Sequence, residues 1–388
     1  MLEQAERTEA LERAVEVEQE VTALELFFDL VFVFAITQVT RFLSHDPTWT
    51  RLVEAMAILM VLWFSWSAYV WLQNRAATDE GAIRFVLLVA MGPVLVASLA
   101  VPNAFGKDAL LFGVAFFLVR ALHLVAYMVV ARDDPALRGV ILRLSRTIVP
   151  ASALLVVAGA VPGTGRALCW IAALAIDYGG LFLSGTTDWS VAPSHFVERH
   201  RLIVIIALGE SIVALGAGAS SLALGAGVIT GALLGIAVAA ALWWAYFDVV
   251  AIVAERRLRA APREQQVRIA RDSYTYLHLP MIAGIVVFAF GVKVTLGHAH
   301  AHLAGVAATA LCGGVALYLL ALSAFKRRNV GSFNYPRLVA AGVLAVLAPV
   351  ATTLPALVSL ALVTTTTCAL IGYEVVRYAE ARQRIRHG

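Results

Sequence analysis

Glu210 is the residue whose type and place are best suited to chemistry. It lies eight residues past Leu202 in an apolar run, ~12 Å along a helix at about 1.5 Å per residue, with no basic residue within one turn. A carboxylate at such depth is either protonated or served by a partner on another helix. Either state suits a proton relay or a cation site; a protonated glutamate bonded to a neighbouring carbonyl would be structural only. Gly209 and Gly216 are expected to let another helix approach this one closely. Glu25 and Asp29 are four residues apart and so share one helix face. They read either as a cation or proton site or as pinning charges, with Glu198, Arg199 and Arg201 at the matching depth of a later helix. Removing one partner of such a buried pair strands a charge, whether or not the pair adds net stability.

Further polar groups lie inside apolar runs. Asp248 follows Tyr246 and joins the candidate ion or proton route. Asp177 stands beside Tyr178, and Arg120 and His123 share roughly one face. Internal pairing is the plain reading, Arg120 with Asp177 or with Asp248. His123 or His278 would otherwise relay protons, because imidazole titrates near neutrality. Trp66 and Tyr69 in one run, and Trp243 and Tyr246 in another, form either an aromatic wall beside an organic substrate or cation or ordinary packing. In His298-Ala-His-Ala-His302, residues 298 and 302 would meet on a helix as a divalent-metal pair, but no convincing third ligand lies nearby, so no metal is expected. The three cysteines show no paired spacing. No phosphate-binding glycine loop, HExxH or nucleophile elbow is present, and no cofactor is expected.

The elements that must position these groups follow from composition. Of 388 residues, 61% are hydrophobic and 14% charged, against roughly 25% charged in a soluble domain; mean hydropathy is +0.82. Lipid must act as solvent for much of the chain. A spanning helix needs ~20 apolar residues. About twelve segments qualify, near 24–43, 52–72, 84–102, 109–130, 140–161, 166–185, 197–217, 226–253, 275–296, 303–325, 336–353 and 355–377. The fold class is therefore all-α, a polytopic transmembrane bundle. Residues 1–23 read as a polar cytoplasmic helix or arm, not a signal peptide, and 379–388 as a basic tail.

Net charge is +4, which in a soluble protein would point to nucleic acid. Here all but six of the 30 Lys and Arg side chains fall on the side of the bundle that carries both termini; five fall on the other side and Arg120 alone lies deep in a segment. That asymmetry places both termini in the cytoplasm and excludes nucleic acid as the partner. The densest basic stretch, 256–271, suits anionic lipid headgroups. The chain also reads as a duplication. Ala35–Gln38 aligns with Ala207–Glu210, making Gln38 the counterpart of Glu210, and Trp66–Tyr69 aligns with Trp243–Tyr246. Copies six spans apart share an orientation, so 24–187 and 188–378 would be parallel halves.

The stretches Glu25-Leu-Phe-Phe-Asp-Leu-Val-Phe-Val-Phe-Ala-Ile-Thr-Gln38 and Glu198-Arg-His-Arg-Leu-Ile-Val-Ile-Ile-Ala-Leu-Gly-Glu-Ser-Ile212 resemble the two signatures of the bacterial low temperature requirement A family. They occur in the expected order, and the resemblance covers nearly the whole chain. It implies a multi-pass membrane protein named for a growth phenotype. The first stretch also resembles the helix that opens the endolysosomal leak potassium channels, departing from it at Phe28, where those carry Ser before Asp. The expectation is a secondary transporter or ion- or proton-conducting protein of the bacterial inner membrane. Its site would use Glu210 and Gln38, with Glu25, Asp29 and Asp248 on the route. An intramembrane lipid-modifying enzyme built on Glu25, Asp29, His200 and Asp248 remains open, as does a non-transporting scaffold or sensor. A homo-oligomer is compatible with all three.

Overall fold

The structure is a computed structural model that describes residues 21–75, 81–183, 189–220 and 222–387. Most of the expected N-terminal arm, and the boundary expected between the halves at 187/188, lie outside the described residues. The first helix, α1 (Ala23–His45), begins at a reciprocal cap. The Thr22 hydroxyl accepts from Glu25 N at 3.2 Å, and Glu25 Oε2 accepts from Thr22 N at 2.9 Å, so two orphan donors of the first turn are satisfied. The next five are α2 (Trp49–Gln73), α3 (Gly81–Ala100), α4 (Ala109–Val130), α5 (Pro135–Ala160) and α6 (Gly163–Leu183). Asp134 caps α5 through Leu137 N at 2.9 Å, and Pro135 occupies its first turn, where no donor is needed.

After α7 (Pro193–Ala219) and α8 (Ala226–Phe247), the chain runs through the short helices α9 (Val250–Arg259) and α10 (Arg263–Ile269). A π-helical segment, Ala270–Tyr276, leads into α11 (His278–Gly297). Then come α12 (Gly305–Val330), α13 (Tyr335–Val350), α14 (Ala356–Arg377) and α15 (Ala379–His387). Ten helical runs among the described residues are long and apolar enough to cross a membrane. The other two expected segments are α6, of 21 residues, and α13, of 16. The protein is all-α and polytopic. Peripheral helices expose large apolar side chains, Leu99 at 60% and Val346 at 70%, as a surface solvated by lipid does.

The centre is α11. Every residue from Met281 to Val292 is buried, and a helix apolar all round belongs in a core. It lies against α12 at glycine contacts: a Cβ added to Gly284 would meet Gly314 O at 2.6 Å, and one added to Gly314 would meet Phe288 N at 2.5 Å. Only the missing side chains allow the two backbones that near. In the first six helices α1 packs on α2 and α3, α3 on α4, α4 on α5, α5 on α6, and α2 on α6. In the later ones α7 packs on α8 and α11, α11 on α12, α12 on α13, α13 on α14, and α8 on α14. The two groups meet where α1 lies against α7 and α11.

The π-helical segment adds a second tie between the groups. The Thr275 carbonyl accepts from Trp63 Nε1 at 2.7 Å, and the Thr275 hydroxyl accepts from Trp71 Nε1 at 3.0 Å. Tyr276 donates to Tyr178 O at 2.7 Å, and Tyr178 donates to Met60 O at 2.9 Å. Nothing in the sequence of this segment, Ala-Arg-Asp-Ser-Tyr-Thr-Tyr, marks the wider helix.

Candidate functional site

The site candidate is the seam between α1 and α7, which carries polar groups at two levels. The first level lies in the opening turns of both helices, at the arginine-rich end where α9, α10 and α15 also lie. Asp29 Oδ1 accepts from Arg199 Nη2 at 2.7 Å and from Trp66 Nε1 at 2.9 Å. Glu25 Oε2 bonds His195 Nε2 at 3.0 Å. All four charged or titratable groups are buried. Asn74 sets the histidine. Its Oδ1 accepts from Ala192 N at 2.8 Å, so its amide nitrogen faces His195 Nδ1 at 3.3 Å. An amide nitrogen only donates, so Nδ1 accepts and Nε2 carries the hydrogen given to Glu25. Both α1–α7 contacts join residues whose numbers differ by 170, the mark of two parallel helices in fixed register.

The second level is two turns further along. Glu210, 3% exposed, accepts from the Thr37 hydroxyl at 2.6 Å. The same hydroxyl lies 3.1 Å from Val33 O. The Thr40 hydroxyl, which donates to Ile36 O at 3.5 Å, is a polar neighbour of Glu210, and Lys293 of α11 is the cation that bears on it. Among the described residues no base reaches Glu210 at ion-pair distance. Gly209 and Gly216 do not provide the expected close approach, because an added Cβ would meet nothing within 4 Å at either. They lie on the side of α7 turned away from the seam. It is Gly218 that abuts α11, where an added Cβ would lie 3.4 Å from Lys293 and Leu296.

Several expected members stand elsewhere. Gln38 is not across from Glu210. It lines a cavity of about 430 Å³ with Phe34, Arg41, His45 and Arg51, between α1, α2 and α3. One residue turns a helix by about 100°, and it is Thr37 that bonds Glu210 across the seam. Asp248 does not join the route either: it accepts from Arg382 Nε and Nη2 at 2.6 and 2.9 Å, which raises the already high pKa of that guanidinium. Arg201 pairs with Glu255 at 3.2 Å, and Glu198 is exposed. Of the two acids weighed for Arg120, Asp177 is the one in reach, at 3.0 Å. His123 bonds Ala68 O at 3.1 Å.

The four aromatics form no single wall. Trp66 serves Asp29, Tyr69 donates to Val119 O at 2.9 Å, and Trp243 is 44% exposed. Tyr246 bonds His278 Nε2 at 2.8 Å, while His278 Nδ1 lies 3.0 Å from Ser273 O. The set Glu25, Asp29, His200 and Asp248, which an enzyme would need together, is divided, with Asp248 held by the C-terminal helix. Among the described residues no three His, Cys, Asp or Glu side chains group as metal ligands.

His195, Asn74, Thr37 and Lys293 were missed from sequence. His195 had a signal, since it precedes Arg199 by four residues as Glu25 precedes Asp29. Thr37, Asn74 and Lys293 had none beyond being polar groups in or beside apolar runs.

Comparison with known proteins agrees with the signatures. A protein of Rhizobium meliloti (strain 1021), described as "Uncharacterized protein RA0937", is 29% identical over 317 residues, covering 78% of this chain and 76% of that protein. No solved structure matches the chain. The family model "Bacterial low temperature requirement A protein (LtrA)" matches residues 20–372, so the chain belongs to that family.

Proposed function

We propose that the protein is a secondary transporter or ion- or proton-conducting protein in which Glu210 carries the coupling proton or binds the cation. One observation carries this reading: a buried carboxylate on the inter-group seam is bonded by a hydroxyl that serves either of its protonation states. When Glu210 is ionised, Thr37 donates to it at 2.6 Å. When Glu210 is protonated, it donates to the Thr37 oxygen, and the hydroxyl hydrogen turns to Val33 O at 3.1 Å. A hydroxyl both donates and accepts, so the carboxyl gains or loses its proton without an orphaned partner. Intramembrane carboxylates of this kind commonly belong to ion or proton paths. The cavity at Gln38 supports the reading. It reaches the depth of Thr37 from the end opposite the arginine-rich one.

The decisive measurement is flux in proteoliposomes with a pH-sensitive dye inside. We expect Glu210→Gln to abolish flux while the purified protein stays folded; unchanged flux in that variant removes the proposed role. The same reading has twelve spans in two parallel halves of six, with the termini cytoplasmic in the bacterial inner membrane. The recurrence of neighbours in the two groups of helices and the basic loop asymmetry support it. Activity of a C-terminal reporter that works only outside the cytoplasm would overturn that orientation.

A further inference from the structure

We propose that a cavity at the arginine-rich end, between α8, α12, α13, α14 and α15, binds the phosphodiester headgroup of an anionic phospholipid. This inference is independent of the transport reading. The cavity, of about 350 Å³, is lined by Asp248 of α8, Lys326 and Asn329 of α12, Arg337 of α13, Glu374 of α14 and Arg382 of α15.

The charges in it do not cancel. Arg337 donates from Nε and Nη2 to the two Glu374 oxygens, both at 2.8 Å. Arg382 forms the same two-pronged contact with Asp248. Each acid is therefore held by one arginine in the fork geometry that suits a carboxylate, and Arg386 also lies 3.5 Å from Asp248. Lys326 is left over, with no ion pair among the described residues. The fork on Glu374 also holds Arg337 in place while its Nη1 has nothing to donate to, although the residue is 5% exposed. Arg337 repels Lys326 and Glu374 attracts it. The lining carries one surplus positive charge and an unpaired ammonium, which match a monoanion. Placed beside Lys326, such a group gives the ammonium a charge-assisted bond.

The surroundings select a lipid over free phosphate. Exposed aromatics surround the opening, Tyr335 at 71% and Phe333 at 44%, with Trp244 and Tyr378 beside them. Aromatics concentrate where membrane meets water. From Tyr335 an exposed apolar stripe, Val339, Val343, Val346 and Val350, runs along α13 at the helical period. A headgroup in the cavity would lay its acyl chains on that stripe.

The test uses the full-length protein in detergent and native mass spectrometry with phosphatidylglycerol, phosphatidylcholine or inorganic phosphate. We expect phosphatidylglycerol to be retained at least tenfold more strongly than phosphatidylcholine, whose ammonium would face the same cations, and inorganic phosphate to be retained weakly. Lys326→Gln should lower phosphatidylglycerol retention about tenfold at unchanged thermal stability, and Lys326→Arg should restore it. Arg384→Gln, which removes the same charge from a side chain 79% exposed, should change nothing. Equal losses in Lys326→Gln and Arg384→Gln would mean a diffuse charge effect and overturn the site. Full retention in Lys326→Gln, or equal retention of the two lipids, would do the same. Inorganic phosphate bound as tightly as phosphatidylglycerol would overturn the lipid assignment.

Discussion

The two levels of the α1–α7 seam use the same helices and opposite designs. Near the arginine-rich end Asp29 has a full guanidinium partner at 2.7 Å and an indole donor at 2.9 Å. Two turns on, Glu210 has the Thr37 hydroxyl at 2.6 Å and, among the described residues, no cation at ion-pair distance. The Asp29–Arg199 and Glu25–His195 bonds cross from one group of helices to the other, so the first level reads as a latch between them. A carboxylate matched by a hydroxyl loses little on protonation, because the bond can reverse. Under the proposed function, the paired level has a positional role and the hydroxyl level a chemical one.

Breaking the latch should have the largest effect on stability. Arg199→Met leaves the Asp29 carboxylate buried without its cation and should cost about 3–5 kcal/mol, seen as an early thermal transition in detergent. Adding Asp29→Asn should recover most of that loss, because the amide oxygen still accepts from Trp66 and no charge is stranded. A double variant as weak as the single one would show that Arg199 acts through packing. Thr37→Val probes the other level. It should lower stability by about 0.5–1.5 kcal/mol, the net worth of one hydrogen bond, yet reduce flux far more, with Thr37→Ser retaining both. Flux that falls only in proportion to stability would make the second level structural as well. Glu198→Gln marks the floor of the scale. Its side chain is exposed although it adjoins Arg199, so a shift within about 0.5 kcal/mol is expected; a larger one would mean that the latch extends beyond the four buried groups.

The depth of the unusual residues was legible in the sequence, and their direction was not. Asp29 and Arg199 were expected at one level because both stand near the start of apolar runs, and they meet. Gln38 was paired with Glu210 by equivalence in the aligned stretches. Equivalence under a repeat is not contact: two parallel helices bring together residues whose side chains point at each other, and that phase selects Thr37. Asp248 was read as part of the route from its depth alone. It instead points to α15, whose Arg382 looked like a solvated tail residue. Trp243 matches Trp66 in the alignment but is turned to the outside. His195 was overlooked because the run was begun at 197, which left a buried residue in the loop.

The sequence by itself determined that lipid is much of the solvent, that the chain is a bundle of helices, and which few charged residues would be costly to bury. Those conclusions rest on sums along the chain, and hydropathy and length are additive properties. Only the tertiary structure decided that Asp29 has a cation and Glu210 has a hydroxyl, that π-helical Thr275 is bound to α2, and that Lys326 is left unpaired beside Arg337. Each of these depends on which face of a helix a residue occupies and which neighbour covers that face. A rotation of one residue, about 100°, would exchange every partner named.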